Sequence, residues 1–209
     1  MSQTAHQRAN RDGLFTPERV VEAYRSGYFP MAESRMGPIS WYSPDPRAII
    51  PLNEFNVPRS LRREMKRSDC TITVNRAFDR VIGECAEGRF PEDTWISDEV
   101  VRVYTDLHRM GIAHSVETWE EGKLVGGLYG VALGGAFFGE SMFSRIPSAS
   151  KFALVSLVSR LNARGYRLLD TQIMNDHIRQ FGAVDIPRDM YIVLLEKALP
   201  IEAEFVDRG

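Results

Sequence analysis

The stretch HSVETWEEGKLVGGLYGVALGGAFFGESMFS, residues 114–144, decides the fold. HSVETW alternates with period two, the repeat of a strand that turns one face to a core. EEGK turns the chain and LVGGLYGVAL reads as a second strand. Gly134 and Gly135 supply a tight turn, and AFFGE (136–140) is a third strand that ends at Glu140. Short turns between strands give an antiparallel meander. Glu140 sits among aromatic, small and aliphatic residues, where a charge is costly to bury unless something pairs with it or uses it.

Outward from the meander the pattern changes to helix and strand. SASKFALVSLVSRLNARG is expected as a helix capped by Ser148 or Ser150 and stopped by Gly165, with Leu154, Leu157, Val158 and Leu161 as its apolar stripe. YRLLDTQ reads as a strand, NDHIRQFG as a short helix and RDMYIVLLEKAL as a last helix. Toward the N-terminus, Ser97 caps DEVVRVYTDLHRMG, and Asn75 is expected to cap RAFDRVIGECAEG after the strand TITV (71–74). VPRSLRREMKRS is a basic helix. TPERVVEAYRSG is a helix capped by Thr16 with Pro17 in its first turn and Val20, Val21 and Tyr24 as its apolar stripe. Residues 28–51, rich in proline and aromatic side chains, read as loop, and residues 1–13 as a frayed arm.

The result is an α/β (α+β) chain with a mixed, mostly antiparallel sheet. It divides into a small N-terminal lobe over residues 1–50 and a larger domain over 51–209. The order strand–strand–strand–helix–strand–helix from residue 114 onward resembles the Gcn5-related N-acetyltransferase fold.

Composition narrows the class. The 209 residues are 44% hydrophobic and 26% charged, with a formal net charge of -2, so any nucleic-acid site must be a local patch. Cys70 and Cys85 have no CxxC spacing, which points to a reducing compartment. The polar N-terminus is not a secretory signal and no apolar run reaches bilayer length, so a cytoplasmic protein is expected. His6, His108, His114 and His177 show no metal-ligand spacing.

Chemistry is expected at the strand ends. Asp170 and Gln172, two residues apart on one strand, point to the same face, close enough for the carboxylate to orient the amide. If their strand neighbours the third meander strand, Glu140 converges with them. SRIPSASK, between that strand and the next helix, has no glycine and Pro147 removes an N–H, so it is a poor cradle for the pyrophosphate of coenzyme A. Arg59, Arg62, Arg63, Lys66 and Arg67 are a solvated helix face or a phosphate site.

FFGESMFSR followed by SASK resembles the bacterial leucyl/phenylalanyl-tRNA–protein transferases, as do WYSPDPRAII, DTWIS, AHSVETW, GGLYGVALG, LLDTQIMNDH and FGAVDIPRDMY. The resemblance runs over residues 15–191, with the motifs in order. It implies transfer of Leu or Phe, less often Met, from aminoacyl-tRNA to the N-terminal amine of proteins beginning with Lys or Arg. The product is marked for degradation by the bacterial N-degron pathway. No cofactor, ATP or coenzyme A is implied.

The resemblance also implies site residues. Asp170, Gln172 and Glu140 match the catalytic positions, with Asp170 hydrogen-bonded to Gln172 and Glu140 near the ester and ribose. Phe137, Met142, Ser144, Leu154 and Leu157, with Leu128 at the rim, would form the pocket for the transferred side chain. Asn175 falls on a motif position, and Trp95 would stack on the terminal adenine. Arg59, Arg62, Arg63, Lys66 and Arg67 become tRNA phosphate contacts. Met31 stands where the family often has tryptophan, and the segment before the first helix is shorter than the family's usual one. A monomer is expected. Two other readings remain: a coenzyme A-dependent N-acetyltransferase of the same fold, and a non-catalytic tRNA-binding module.

Overall fold

A computed structural model describes residues 5–8, 15–35, 37–87 and 95–206. In chain order it contains β1 (Ala5–Arg8), α1 (Pro17–Arg25), β2 (Phe29–Ala32), β3 (Ile39–Ser43) and β4 (Arg47–Ile50). A 3-10 turn at Leu52–Glu54 leads to α2 (Arg59–Arg67), β5 (Thr71–Val74), α3 (Phe78–Glu87) and α4 (Asp98–Arg109). The meander is β6 (Ala113–Glu120), β7 (Lys123–Leu133) and β8 (Ala136–Ser144). Then come α5 (Ala149–Ala163), β9 (Leu168–Gln172), α6 (Asp176–Arg179), β10 (Val184–Ile186) and α7 (Arg188–Ala198).

The larger sheet runs β10-β4-β9-β8-β7-β6-β5, and a smaller one runs β1-β3-β2. Every neighbouring pair is antiparallel except β8 and β9. That mixed, mostly antiparallel α/β architecture is the one the period-two pattern implies. Side chains alternate across the large sheet into two cores. Leu128, Phe137 and Leu169 join the α5 residues Leu154, Leu157 and Leu161 on one face. Tyr129, Phe138 and Leu168 join Tyr24, Val81, Tyr104 and Leu195 from α1, α3, α4 and α7 on the other.

Local signals explain the helices. Thr16 accepts from Arg19 N–H at 3.4 Å, and Ser97 from Val100 N–H at 3.3 Å, each relieving an orphan donor of a first turn. Gly27, at φ +81, lets the chain leave α1 in a conformation costly for other residues. The approach of α5 to β7 needs Gly126: a Cβ there would lie 2.5 Å from Ala149 Cβ.

Several expectations change. Residues 28–51 hold three short strands rather than loop, and β4 enters the large sheet. Of the expected arm, residues 5–8 pair with β3, while 1–4 and 9–13 lie outside the described residues. Asn75 does not cap α3. Its side chain accepts from Ser115 N–H at 3.0 Å and meets His114 Nδ1 at 2.9 Å, while the buried Glu117 carboxylate takes Ala77 N–H at 3.4 Å. Neither Ser148 nor Ser150 caps α5 through its own oxygen. Ser144 Oγ, from the end of β8, accepts Ser150 N–H at 2.8 Å. β8 also runs past Glu140 to Ser144.

Candidate active site

The last point positions the site. β8 pairs with β7 as Tyr129↔Ser141 and then Gly130↔Gly139, which leaves Glu140 as an extra residue without a partner. Such a bulge bends the strand and re-aims a side chain that simple alternation would send elsewhere. β8 and β9 pair only from Ala136↔Leu168 to Phe138↔Asp170. Beyond that they separate, and a cavity of about 690 Å³ lies between them.

The cavity wall includes Leu128, Met142, Ser144, Leu154 and Leu157, which the resemblance implied for the pocket, and Asn175, which fell on a motif position. Glu140 also lines it, with Tyr129, Leu169, Thr171, His177 and Ile178. Phe137 does not line it. It is fully buried beneath β8, its ring 5.2 Å from that of Phe205. Ser144 has a second task as the cap of α5, and Asn175 Oδ1 caps α6 by accepting Ile178 N–H at 3.0 Å.

Glu140 ends in a polar cluster. Its Oε1 accepts from Tyr24 OH at 2.6 Å and from Gln172 Nε2 at 2.8 Å, and its Oε2 from Tyr104 OH at 3.2 Å. The two tyrosine oxygens are themselves 2.6 Å apart. Two hydroxyl protons cannot fill all three O···O contacts of this ring. With the carboxylate ionised, both tyrosines donate to it and their own O···O contact lacks a proton; protonating Oε2 reverses the Tyr104 contact and lets Tyr104 donate to Tyr24, so all three are filled. Burial, the largest influence, pushes the Glu140 carboxyl up to about 8. The Tyr24 and Tyr104 hydroxyls pull it down, the Asp170 charge adds to the rise, and Arg47 opposes it.

Asp170 is fully inaccessible, as is its partner Arg47. Arg47 Nε reaches Oδ1 at 3.0 Å and Nη2 reaches Oδ2 at 2.6 Å, a two-pronged ion pair. Tyr191 OH donates to Oδ2 at 2.7 Å and Gln172 N–H to Oδ1 at 2.8 Å. All acceptor positions of the carboxylate are thereby used. The guanidinium also donates to Gly27 O at 3.1 Å and lies over the rings of Phe29 and Tyr191, 4.7 and 4.5 Å from their centres.

The expected contact between Asp170 and the Gln172 amide is thus corrected. Asp170 holds the backbone of Gln172, and the side-chain amide goes to Glu140. The cause is local: Gln172 adopts φ +65, a left-handed conformation, so the two side chains no longer share a strand face. With Nε2 given to Glu140, Gln172 Oε1 has no donor among the described residues.

Tyr24, Arg47, Tyr104 and Tyr191 were missed as site residues. Tyr24 read as part of an apolar helical stripe. Arg47 had a signal, since it precedes the apolar run AII just as Glu140 interrupts one. Trp95 and the basic helix stand apart from the cavity. Trp95 packs half-buried against the core of α1, α3, α4 and α7, and Arg59, Arg62, Arg63, Lys66 and Arg67 are exposed on α2. A shallow concavity on α2 is lined by Ser60, Arg63, Glu64, Arg67 and Ser68. Among the described residues no three His, Cys, Asp or Glu side chains converge as a metal site. Burial raises the Cys85 thiol to about 12, so it is no thiolate nucleophile at neutral pH.

The family model of leucyl/phenylalanyl-tRNA protein transferase matches residues 49–196, and that of its N-terminal domain matches 13–45. A leucyl/phenylalanyl-tRNA–protein transferase of Chlorobaculum tepidum is 50% identical over 190 residues, covering 90% of this chain and 98% of that one. The protein of the same name from Salinibacter ruber is 48% identical over 190 residues, covering 91% and 83%. Among solved structures, a ribosomal-protein-alanine N-acetyltransferase from Brucella melitensis is 13% identical with a TM-score of 0.38, covering 53% of this chain and 84% of that one. The protein is a transferase. It belongs to the leucyl/phenylalanyl-tRNA protein transferase family, as the sequence motifs implied.

Proposed function

We propose that this chain moves Leu or Phe, and Met less readily, from the 3′ end of aminoacyl-tRNA to the N-terminal amine of proteins beginning with Lys or Arg. The product is a substrate for N-degron-dependent degradation, and the enzyme works in the cytoplasm as a monomer. The observation behind this reading is the position of Glu140, at the edge of a cavity walled by Leu128, Met142, Leu154 and Leu157. An apolar acyl side chain fills such a cavity while its ester stays beside the carboxylate. A hydrophobic pocket discriminates weakly between Leu and Phe, by about 1–3 kcal/mol per methylene-sized difference, so broad donor use follows.

The chemistry is acyl transfer without an added energy source. The acceptor arrives as an ammonium, and the ionised form of Glu140, the form present as pH rises toward 8, takes one proton from it. A carboxyl at about 8 is matched to an ordinary α-amine, at roughly 7.7–8.0. The free amine attacks the ester carbonyl carbon and forms the C–N bond. As the C–O bond breaks, the second nitrogen proton passes to the departing 3′-oxygen, which leaves as a hydroxyl. Glu140 then returns its proton to solvent. Gln172 acts by position: its Nε2 fixes Glu140, and its Oε1 is the acceptor that receives the incoming N–H. Asp170, with every acceptor site filled, holds Gln172 in place and exchanges no proton.

The basic face of α2 is assigned to the tRNA phosphates, and Trp95, with Met31 on β2, to the terminal adenine. Residues 1–50 are assigned as a lobe and 51–209 as the catalytic domain, with Arg47 tying the first to the second. Radiolabelled leucyl-tRNA mixed with a peptide beginning in Arg tests the reading. Label should move to the peptide without ATP or coenzyme A. Label that stays on tRNA at saturating enzyme and peptide defeats it, and acetyl transfer from acetyl-coenzyme A would revive the acetyltransferase reading.

A further inference from the structure

Four buried polar side-chain atoms have no hydrogen-bond partner among the described residues: Tyr129 OH, Tyr166 OH, Thr171 Oγ1 and His177 Nε2. Three of them belong to walls of the cavity, Tyr166 being the exception. A buried polar atom without a partner is costly, so a cluster of them around one empty space marks where a ligand's polar groups go. Tyr129 lies on the β7 side, within electrostatic reach of Glu140. Thr171 and His177 lie on the opposite wall, on β9 and on the helix that follows it.

We infer that Thr171 Oγ1 and His177 Nε2 form the subsite for the α-amino group of the acyl donor. The inference rests on the donor being an aminoacyl ester, as proposed above. The amine shares its carbon with the side chain, so it must lie beside the apolar pocket. Thr171 follows Leu169 on one face of β9, and His177 precedes Ile178; both Leu169 and Ile178 line the pocket. A neutral amine offers two N–H donors, and these two atoms are two acceptors. Burial, with help from the Lys151 charge, lowers the proton affinity of His177 and keeps the ring an acceptor. The same Lys151 disfavours a second cation here, which suits the donor amine, made less basic by its ester, better than the cationic end of an Arg or Lys acceptor.

The test compares phenylalanyl-tRNA with 3-phenylpropionyl-tRNA, which has the same side chain and ester but no α-amine. Transfer to one Arg-initiated peptide is measured for the wild type, Thr171→Val, His177→Leu and the double variant. Sites built to hydrogen-bond a group discriminate strongly against its absence, so the wild type should favour the amine-bearing donor by roughly 100-fold or more in kcat/KM. Each substitution should cut that ratio by about tenfold, and the double variant should bring it close to one. Because the ratio is taken within one variant, a partly folded sample does not distort it. An unchanged ratio, or a change only in the KM for the peptide, overturns the inference. A wild type that transfers neither group defeats the proposed function instead.

Discussion

Arg47 and Asp170, 123 residues apart in sequence, form a two-pronged ion pair with no exposure to solvent. Asp170 also fixes the Gln172 backbone, so the pair connects the strand at the N-terminal lobe to the proposed chemistry. A buried pair is costly to break from one side, since the survivor keeps an uncompensated charge. Arg47→Met should destabilise the fold by about 3–5 kcal/mol, and Asp170→Leu similarly. Combining them should recover much of that loss in denaturant melts while transfer activity stays low. A single variant as stable as the wild type would show that the ion pair does not hold this part of the fold.

Glu140 gives stability a pH dependence. Its folded carboxyl titrates near 8, above the unfolded 4.5, so between those values the folded state binds more protons. Its stabilising contribution is therefore complete below about pH 4.5 and is lost as pH rises through about 8. Relative to Glu140→Gln, which cannot titrate, the wild type should lose on the order of 4 kcal/mol between pH 5 and 9. Its kcat/KM for transfer should rise with pH over the same range. The substrate amine titrates there too, but identically for both proteins, so the difference profile isolates Glu140. Parallel stability curves for the two proteins would refute the assignment.

Gln172 separates side-chain chemistry from backbone strain. Ala and Gly at this position both remove the amide that holds Glu140. They differ in the left-handed φ of +65, which costs a residue with a Cβ roughly 1–2 kcal/mol and costs glycine little. Gln172→Gly should be more stable than Gln172→Ala by about 1 kcal/mol, with both similarly poor in transfer. If Ala proves the more stable of the two, the strain is not there. Retained turnover in either variant would remove Gln172 from the mechanism.

These contacts show where sequence reading stops. Elements with a local cause were legible: Thr16 and Ser97 as caps, the glycine turn between β7 and β8, and the period-two meander. Leu128, Met142, Leu154 and Leu157 could be placed because motif and apolar pattern agreed. The bulge at Glu140 was not legible, because alternation over a few residues cannot show that one residue is extra. Arg47 was not matched to Asp170, since pairing across such a separation depends on β4 lying beside β9. Tyr24 looked like a core residue, and by packing it and Tyr104 both are; their hydroxyls matter only because the bulge turns Glu140 toward them. Asn75 illustrates the opposite failure, a residue with good capping chemistry that the tertiary structure uses elsewhere.

The pocket wall sets donor choice. Met142 lines the cavity while keeping partial exposure, so shortening it opens space at little cost to the core. Met142→Ala should raise the kcat/KM of phenylalanyl-tRNA relative to leucyl-tRNA by roughly tenfold, the upper part of what a hydrophobic pocket distinguishes. Competition between the two charged tRNAs for one Arg-initiated peptide reads the ratio directly. A ratio that does not move would place the transferred side chain elsewhere.

The basic helix should act through charge alone. Arg62, Arg63 and Lys66 are exposed on α2, away from the cavity, and each is a candidate phosphate contact. Replacing one with Ala should weaken binding of charged tRNA and lower the slope of log affinity against log salt by about 0.7–0.9. Such losses should be nearly additive, because separated phosphate contacts release their counterions independently. Transfer from an aminoacyl-adenosine, which has the ester and the adenine but no phosphate chain, should be unaffected. If these variants slow both donors equally, α2 supports the fold or the acceptor and not the tRNA. An unchanged salt slope with all three replaced would move the phosphate track to another face.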